Sequence, residues 1–282
     1  MSGPITATTR IAGVVGHPVR HSLSPVIHNA WLQAAGVDAV YLAFAPPQNG
    51  FKALVEGLRG GVVAGLNVTI PFKEQAAELA DHATPAVARA GAANLLLFRA
   101  DGSIAADNTD GIGLLAALEQ AGFNPFSPVV VLGAGGAARG AVLSLLAAGV
   151  PSIRLINRSL DRAKAIAVLD GRISAHGWDE AAQALDGVAA VINATSLGMT
   201  GQPPLDLSLD KAPPSAVVMD MVYKPLRTDL LRAAETRGHP VADGLSMLIG
   251  QGVPSFTAMF GTPPPVDVDV RGLCERALGE RP

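Results

Sequence analysis

Residues 129–140 read VVVLGAGGAARG. Four apolar residues, Val129 to Leu132, make a run of the length of a buried strand, and the run passes directly into Gly133-Ala134-Gly135-Gly136-Ala137-Ala138. Strand, G-x-G-x-x-A turn and helix, in that order, are the context a dinucleotide-binding fingerprint requires. Gly133 would make the tight turn, Gly135 would let the backbone approach a pyrophosphate, and Ala138 would let helix and strand pack closely. The helix that follows, expected to run through Ala148, turns free N–H groups and a partial positive charge toward a phosphate. The alternative is a glycine-rich turn of an α/β protein that holds no ligand.

The next strand-to-helix junction adds chemistry. After an expected strand at 153–156 come Asn157, Arg158 and Ser159, with Arg162 a few residues on. A site for NAD usually places Asp or Glu here to hold the ribose 2′-hydroxyl. Neutral and basic groups stand in its place, and arginine forks a 2′-phosphate through charge-assisted hydrogen bonds. The cofactor expected is NADP; the alternative is that Arg158 and Arg162 are solvated surface charges.

Working outward, short apolar strands at 188–192 and 217–221 alternate with helices at 112–121 and 160–169, the pattern of parallel βαβ units. Upstream lie strands at 11–15, 40–44 and 66–70, a hairpin from 95–98 to 104–106 around Asp101-Gly102, and helices at 51–58 and from Pro71. A first helix is expected from Ser24 as N-cap, with Pro25 at its first position, to a stop at Gly36. Helices at 245–260 and 270–278 close the chain. The fold expected is α/β: an N-terminal α/β substrate domain over 1–109, a Rossmann-type doubly wound NADP-binding domain over 110–245, and C-terminal helices in 246–282 that return to pack on the first domain.

Composition sets bounds. The chain has 282 residues, 49% of them hydrophobic and only 4% aromatic, so its cores must be built from Ala, Val, Leu and Ile. A net charge of −3 without a block of like charges leaves no electrostatic footprint for nucleic acid. The single cysteine, Cys274, rules out an internal disulfide and a cysteine-based zinc site, and no metal is expected. Apolar stretches are broken well short of a membrane span. No secretory signal is read in MSGPITATTR, and a cytoplasmic enzyme acting as monomer or homodimer on a small molecule is expected.

The first half gathers small polar residues at strand and loop ends: Ser22 and Ser24; Asn67, Thr69 and Lys73; Asn94; and Asp107 to Asp110. Lys73 stands out because only five of the 21 basic residues are lysines. It opens a helix, where the dipole opposes a cation, and lysine differs from arginine in being able to titrate and pass a proton. A surface lysine is the alternative. Asp110, Ser24, Asn67 and Thr69 have capping or strand-end backbone roles as theirs. Together these groups suit a hydroxylated ring, with Lys73 and Asp110 as the chemical pair.

At this point the segments resemble the shikimate dehydrogenases over nearly the whole length. They are GHPVRHSLSP (16–25), NVTIPFKE (67–74), AGAAN (90–94), DNTDG (107–111), GAGGAARG (133–140), NRS (157–159), NATSLGM (193–199), DMVYKP (220–225) and ADGLSMLIGQG (242–252). The resemblance implies reversible NADP-linked reduction of 3-dehydroshikimate to shikimate, in aromatic amino-acid biosynthesis. It implies that Ser22, Ser24 and Tyr223 bind the ring carboxylate, and that Asn67, Thr69, Lys73, Asn94, Asp110 and Gln251 surround the hydroxyls and ketone. The cofactor contacts it implies are Gly133, Ala134, Gly135, Gly136, Ala137, Asn157, Arg158, Ser159, Arg162, Thr195, Met221 and Gly244. The chain departs from the family at Leu95, where a threonine is common, and at Pro85, where an acidic residue is. Quinate dehydrogenase relatives tend to carry Thr for the second serine and an acidic residue near 157–159, so Ser24 and Arg158 argue against that rival. A non-catalytic sensor of NADP or shikimate is the rival from another class; the presence of Lys73 and Asp110 argues against it.

Overall fold

The computed structural model describes residues 5–61 and 63–279. The reading of the N-terminal stretch falls partly on residues 1–4, outside the described ones. Contacts sort the chain into two compact units, one drawn from Met1–Thr109 and Gln251–Pro282, the other from Asp110–Gly250.

The first unit runs β1 (Arg10–Val15), α1 (Ser24–Ala35), β2 (Ala39–Phe44), α2 (Phe51–Gly57), β3 (Val63–Val68), α3 (Lys73–Glu78), β4 (His82–Ala83), α4 (Pro85–Ala90), β5 (Leu95–Phe98) and β6 (Ile104–Asp107). Its sheet has the order β2-β1-β3-β5-β6-β4. β1 lies parallel to β2 and β3, while β5 is antiparallel to both β3 and β6. Side chains alternate between faces along a strand. On β3, Leu66 and Val68 join Phe51, Val55, Phe72 and Ala76 in one buried cluster.

Two expectations are corrected here. Ser24 is not a cap: Leu23 takes the N-cap position, no side chain among the described residues caps the helix, and Ser24 is its first residue. The strand expected at 66–70 ends at Val68, and the helix begins at Lys73 rather than Pro71. Thr69 donates its N–H to the Val15 carbonyl and its own carbonyl accepts from Phe72, so 69–72 are spent on a turn.

The second unit runs α5 (Asp110–Gln120), β7 (Val129–Leu132), α6 (Gly136–Ala147), β8 (Ile153–Ile156), α7 (Leu160–Ala167), β9 (Ile173–His176), β10 (Ala190–Asn193), β11 (Val217–Asp220), α8 (Asp229–Thr236) and β12 (Val241–Ala242). Its six strands, in the order β12-β11-β10-β7-β8-β9, are parallel throughout. This is the doubly wound arrangement whose order reverses between β7 and β10, the point at which such sheets bind ligands. Both faces are covered, which is why β7 reads as unbroken apolar sequence. Val129 and Val131 pack with α5, α6 and α7, and Val130 and Leu132 pack with α8 on the other side. Each such buried valine or leucine contributes about 1.5–3 kcal/mol of transfer free energy.

α9 (Gly244–Phe260) belongs to both units, because the division falls between Gly250 and Gln251. α10 (Val270–Leu278) packs on α1, with Cys274 fully buried in it. The closing helices therefore do return to the first unit.

Candidate active site

In the first unit the polar residues sit where β3, β5 and α9 meet. Gly65 and Asn67 share one face of β3, and α9 supplies Ser255 and Met259 to it, one helical turn apart. The Asn67 amide accepts from the Tyr41 hydroxyl through Oδ1 (2.8 Å) and donates through Nδ2 to Ser255 Oγ (2.9 Å) and to the Asn94 carbonyl (3.3 Å). Asn94 Oδ1 accepts from the Thr109 N–H (2.8 Å), and its Nδ2 donates to Thr109 Oγ1 (3.0 Å) and to Gln251 Oε1 (3.4 Å). So three expected ligands, Asn67, Asn94 and Gln251, are drawn together from distant parts of the sequence.

Ser22 and Ser24 are joined by a bond from the Ser24 N–H to Ser22 Oγ (3.3 Å), and the buried Ser24 hydroxyl also meets Tyr41. Thr69 is half-buried at the turn after β3. Lys73, half-buried at the start of α3, accepts the Ala93 N–H with its carbonyl (2.8 Å), which ties the start of that helix to the approach to Asn94. Leu95 is fully buried at the start of β5, so the departure from the family pattern is a core residue. Pro85 opens α4.

Behind these residues lies an aromatic cluster that the sequence reading does not single out. His28 stacks on Tyr41 with ring centres 4.2 Å apart and planes 6° from parallel, and stands edge-on to Trp31. Its Nδ1 is buried without a hydrogen-bond partner among the described residues, and burial lowers the imidazole from 6.5 to about 3. Burial likewise pushes the Tyr41 phenol well above its ordinary value, a shift that its bond to Ser24 opposes.

In the second unit, Gly133 follows β7 with φ +107°, a conformation open to glycine. A side chain there would also press on Thr195 Cγ2 at 3.0 Å and the Ala194 carbonyl oxygen at 3.1 Å. Gly135, Gly136 and Ala137 are exposed, and no side chain among the described residues caps α6, whose first-turn N–H groups have no partner within the helix. Across the switch point, Thr195 is held by Asn193, whose Oδ1 accepts from both its N–H (3.0 Å) and its hydroxyl (2.7 Å). Asn193 in turn donates to Asp220 (2.9 Å), which also accepts from Thr228 (2.8 Å) and the Val222 N–H (3.0 Å). Desolvation raises the Asp220 carboxyl, against the pull of those donors. Asn157 donates to the Ser159 carbonyl (2.9 Å), shaping the turn that leaves Arg158, Ser159 and Arg162 exposed.

Gly244 opens α9 where the chain passes closest to the 221–222 backbone. A Cβ there would collide with the Met221 carbonyl oxygen and stand 2.7 Å from its carbon. Met221 and Tyr223 are half-buried beyond β11, and Asp110 is half-buried as the first residue of α5. Sequence reasoning missed Tyr41, Asn193, Asp220 and Ser255 as supports of the site. One signal was available for Ser255: it stands four residues after Gln251, on the same helix face.

The chain is 52% identical over 286 residues to a shikimate dehydrogenase (NADP(+)) of Caulobacter vibrioides, covering 99% of this chain and 100% of that one. The chain belongs to the shikimate dehydrogenase family. Family models agree: the shikimate dehydrogenase substrate binding domain matches residues 14–96, shikimate/quinate 5-dehydrogenase matches 118–199, and the shikimate 5′-dehydrogenase C-terminal domain matches 244–270. Among solved structures, the shikimate 5-dehydrogenase of Thermus thermophilus in complex with NADP(H) and shikimate aligns with a TM-score of 0.83. It is 34% identical, with 96% of this chain and 98% of that chain covered. The quinate dehydrogenase of Corynebacterium glutamicum, in complex with NAD, aligns at 0.86 and 26% identity over 96% and 99%. A shikimate dehydrogenase fold is thus shared by relatives that differ in cofactor, and the residues at the second strand-to-helix junction are where this chain's cofactor choice is to be sought. Among the described residues there is no cluster of His, Cys, Asp or Glu able to hold a metal, and no helix is long and apolar enough to cross a membrane.

Proposed function

We propose that the chain catalyses the reversible NADP-linked interconversion of 3-dehydroshikimate and shikimate. The observation that carries this reading is 52% identity over 99% of this chain with a relative of that name. The second unit fits a dinucleotide: a glycine turn at positive φ, exposed Gly135 and Gly136, and a helix start without a side-chain cap. The 133–137 turn and the start of α6 hold the pyrophosphate. Asn157, Arg158, Ser159 and Arg162 take the 2′-phosphate, a charge that arginine forks and an acidic residue would repel. Thr195, Met221 and Gly244 bound the nicotinamide end. When bound, NADP(H) supplies or accepts the hydride.

The chain's own groups do the rest. Ser22 and Ser24, with Tyr223, bind the ring carboxylate. Asn67, Thr69, Asn94 and Gln251 orient the ring hydroxyls. Reduction of the ketone builds negative charge on its oxygen, and Lys73 brings a positive charge and a proton to that oxygen. Asp110 orients the reacting hydroxyl. A cytoplasmic location is part of the proposal and is checked by cell fractionation.

The test is a spectrophotometric assay of reduced-cofactor formation from shikimate and from quinate, each with NADP and with NAD. The expected result is the highest kcat/KM for shikimate with NADP. A higher kcat/KM for quinate, or for NAD, would reverse the assignment, and binding of shikimate without turnover would mark a sensor.

A further inference from the structure

The hydrogen bonds around Asn67 and Asn94 run in one direction, because three backbone groups in the network have no choice of role. The Asn94 carbonyl accepts only, so Asn67 must face it with Nδ2, which leaves Oδ1 to the Tyr41 hydroxyl. The Thr109 N–H donates only, so Asn94 meets it with Oδ1 and offers Nδ2 to Thr109 Oγ1 and Gln251 Oε1. The Gln251 carbonyl accepts only, so it takes the single proton of Ser255, at 3.0 Å. Ser255 Oγ is therefore an acceptor toward its other two neighbours, Asn67 Nδ2 at 2.9 Å and the Thr109 hydroxyl at 3.2 Å.

The outcome is a defined polarity. Both amide hydrogens of Asn67 are spent inward, on Ser255 and on the Asn94 carbonyl, so the hydrogen-bonding capacity left to it is a lone pair on Oδ1. Gln251 receives one hydrogen bond at Oε1, from Asn94, and keeps both its Nε2 donor and a second Oε1 lone pair. We infer that Ser255 is a positioning residue which holds Asn67 as a hydrogen-bond acceptor. A ligand hydroxyl meeting Asn67 must then donate. Ser255 is fully buried, so it acts on a ligand through its neighbours. Tyr41 does not hold the amide alone, because a phenol both donates and accepts and tolerates either orientation of Asn67.

The inference rests on the reading that the ligand is shikimate, and a mutant cycle tests it. Steady-state kinetics are measured for the wild type, Ser255→Ala, Asn67→Ala and the double variant. Ser255→Ala is expected to raise KM for shikimate about tenfold, the loss of one buried hydrogen bond, with kcat and KM for NADP within about twofold. In the Asn67→Ala background the same substitution is expected to change KM by less than about twofold, since the group it orients is gone. Tyr41→Phe keeps the stacked ring and removes only the hydroxyl, and its effect is expected to shrink in the same way. Equal effects of Ser255→Ala in both backgrounds, or none in either, overturn the inference. Absence of shikimate turnover in the wild type overturns the proposed activity and this inference with it; turnover with uncoupled variants overturns the inference alone.

Discussion

Acid should weaken the first unit through one side chain, His28. The imidazole is buried against Tyr41, Trp31 and Phe256, and its folded-state value is about 3 against 6.5 for the free group. The folded state refuses a proton that the unfolded chain accepts, so stability rises with pH across this window and is lost as pH falls below 6.5 toward 3. Integrating the difference in bound protons from about pH 7 to about pH 5 gives a loss of about 2 kcal/mol. Several carboxylates held low by partners, Asp170 at about 2 among them, add their own acid sensitivity, so the comparison must be with a variant. His28→Phe keeps an aromatic ring of similar size in the stack and cannot titrate. Urea unfolding followed by Trp31 fluorescence, in a Trp178→Phe background, should show the His28 protein losing about 2 kcal/mol more than His28→Phe between the two pH values. Parallel losses in the two proteins, within about 0.5 kcal/mol, would refute a buried neutral histidine here.

Three further outcomes are expected. Lys73→Ala should lower kcat by about 10²–10⁴-fold while KM for shikimate rises far less, read by steady-state assay; a near-normal kcat would remove Lys73 from the chemistry. Arg158→Ala should raise KM for NADP by about tenfold or more and leave KM for NAD nearly unchanged, and an unaffected NADP KM would return Arg158 to the solvated surface. Gly244→Ala should cost on the order of 1–3 kcal/mol in unfolding measurements, because the added methyl meets the backbone carbonyl of Met221 rather than a side chain that can turn away.

The strands β7 and β8 and helix α10 are legible to the residue: β7 is a continuous apolar run, and β8 is an apolar run interrupted only by Arg154. Residues 173–176, 229–236 and 241–242 are not read as elements at all. β9 is ISAH at a sheet edge, with one apolar residue fully in the core, and β12 is two residues whose strand character comes from pairing with β11. At Ser24 a residue type that favours caps reads as one, but Leu23 takes the cap position and Ser24 is the first helical residue, a one-residue offset that local sequence does not encode. The same limit applies to the candidate site. Asn67, Asn94 and Gln251 stand in recognisable segments, yet their orientation depends on backbone groups of Asn94, Thr109 and Gln251 and on the Ser255 hydroxyl, which no motif spacing encodes.

The division of α9 between Gly250 and Gln251 has a consequence for the order in which a ribosome can finish the two units. All residues of the dinucleotide unit have been synthesised by Gly250, when the unit around Asn67 still lacks Gln251, Ser255 and α10. Domains form as their chain emerges, N-terminal parts generally first. Here that order is inverted. The sheet that begins at Arg10 waits for residues 251–278: until they arrive, Asn67 has Tyr41 and the Asn94 carbonyl as partners and lacks Ser255.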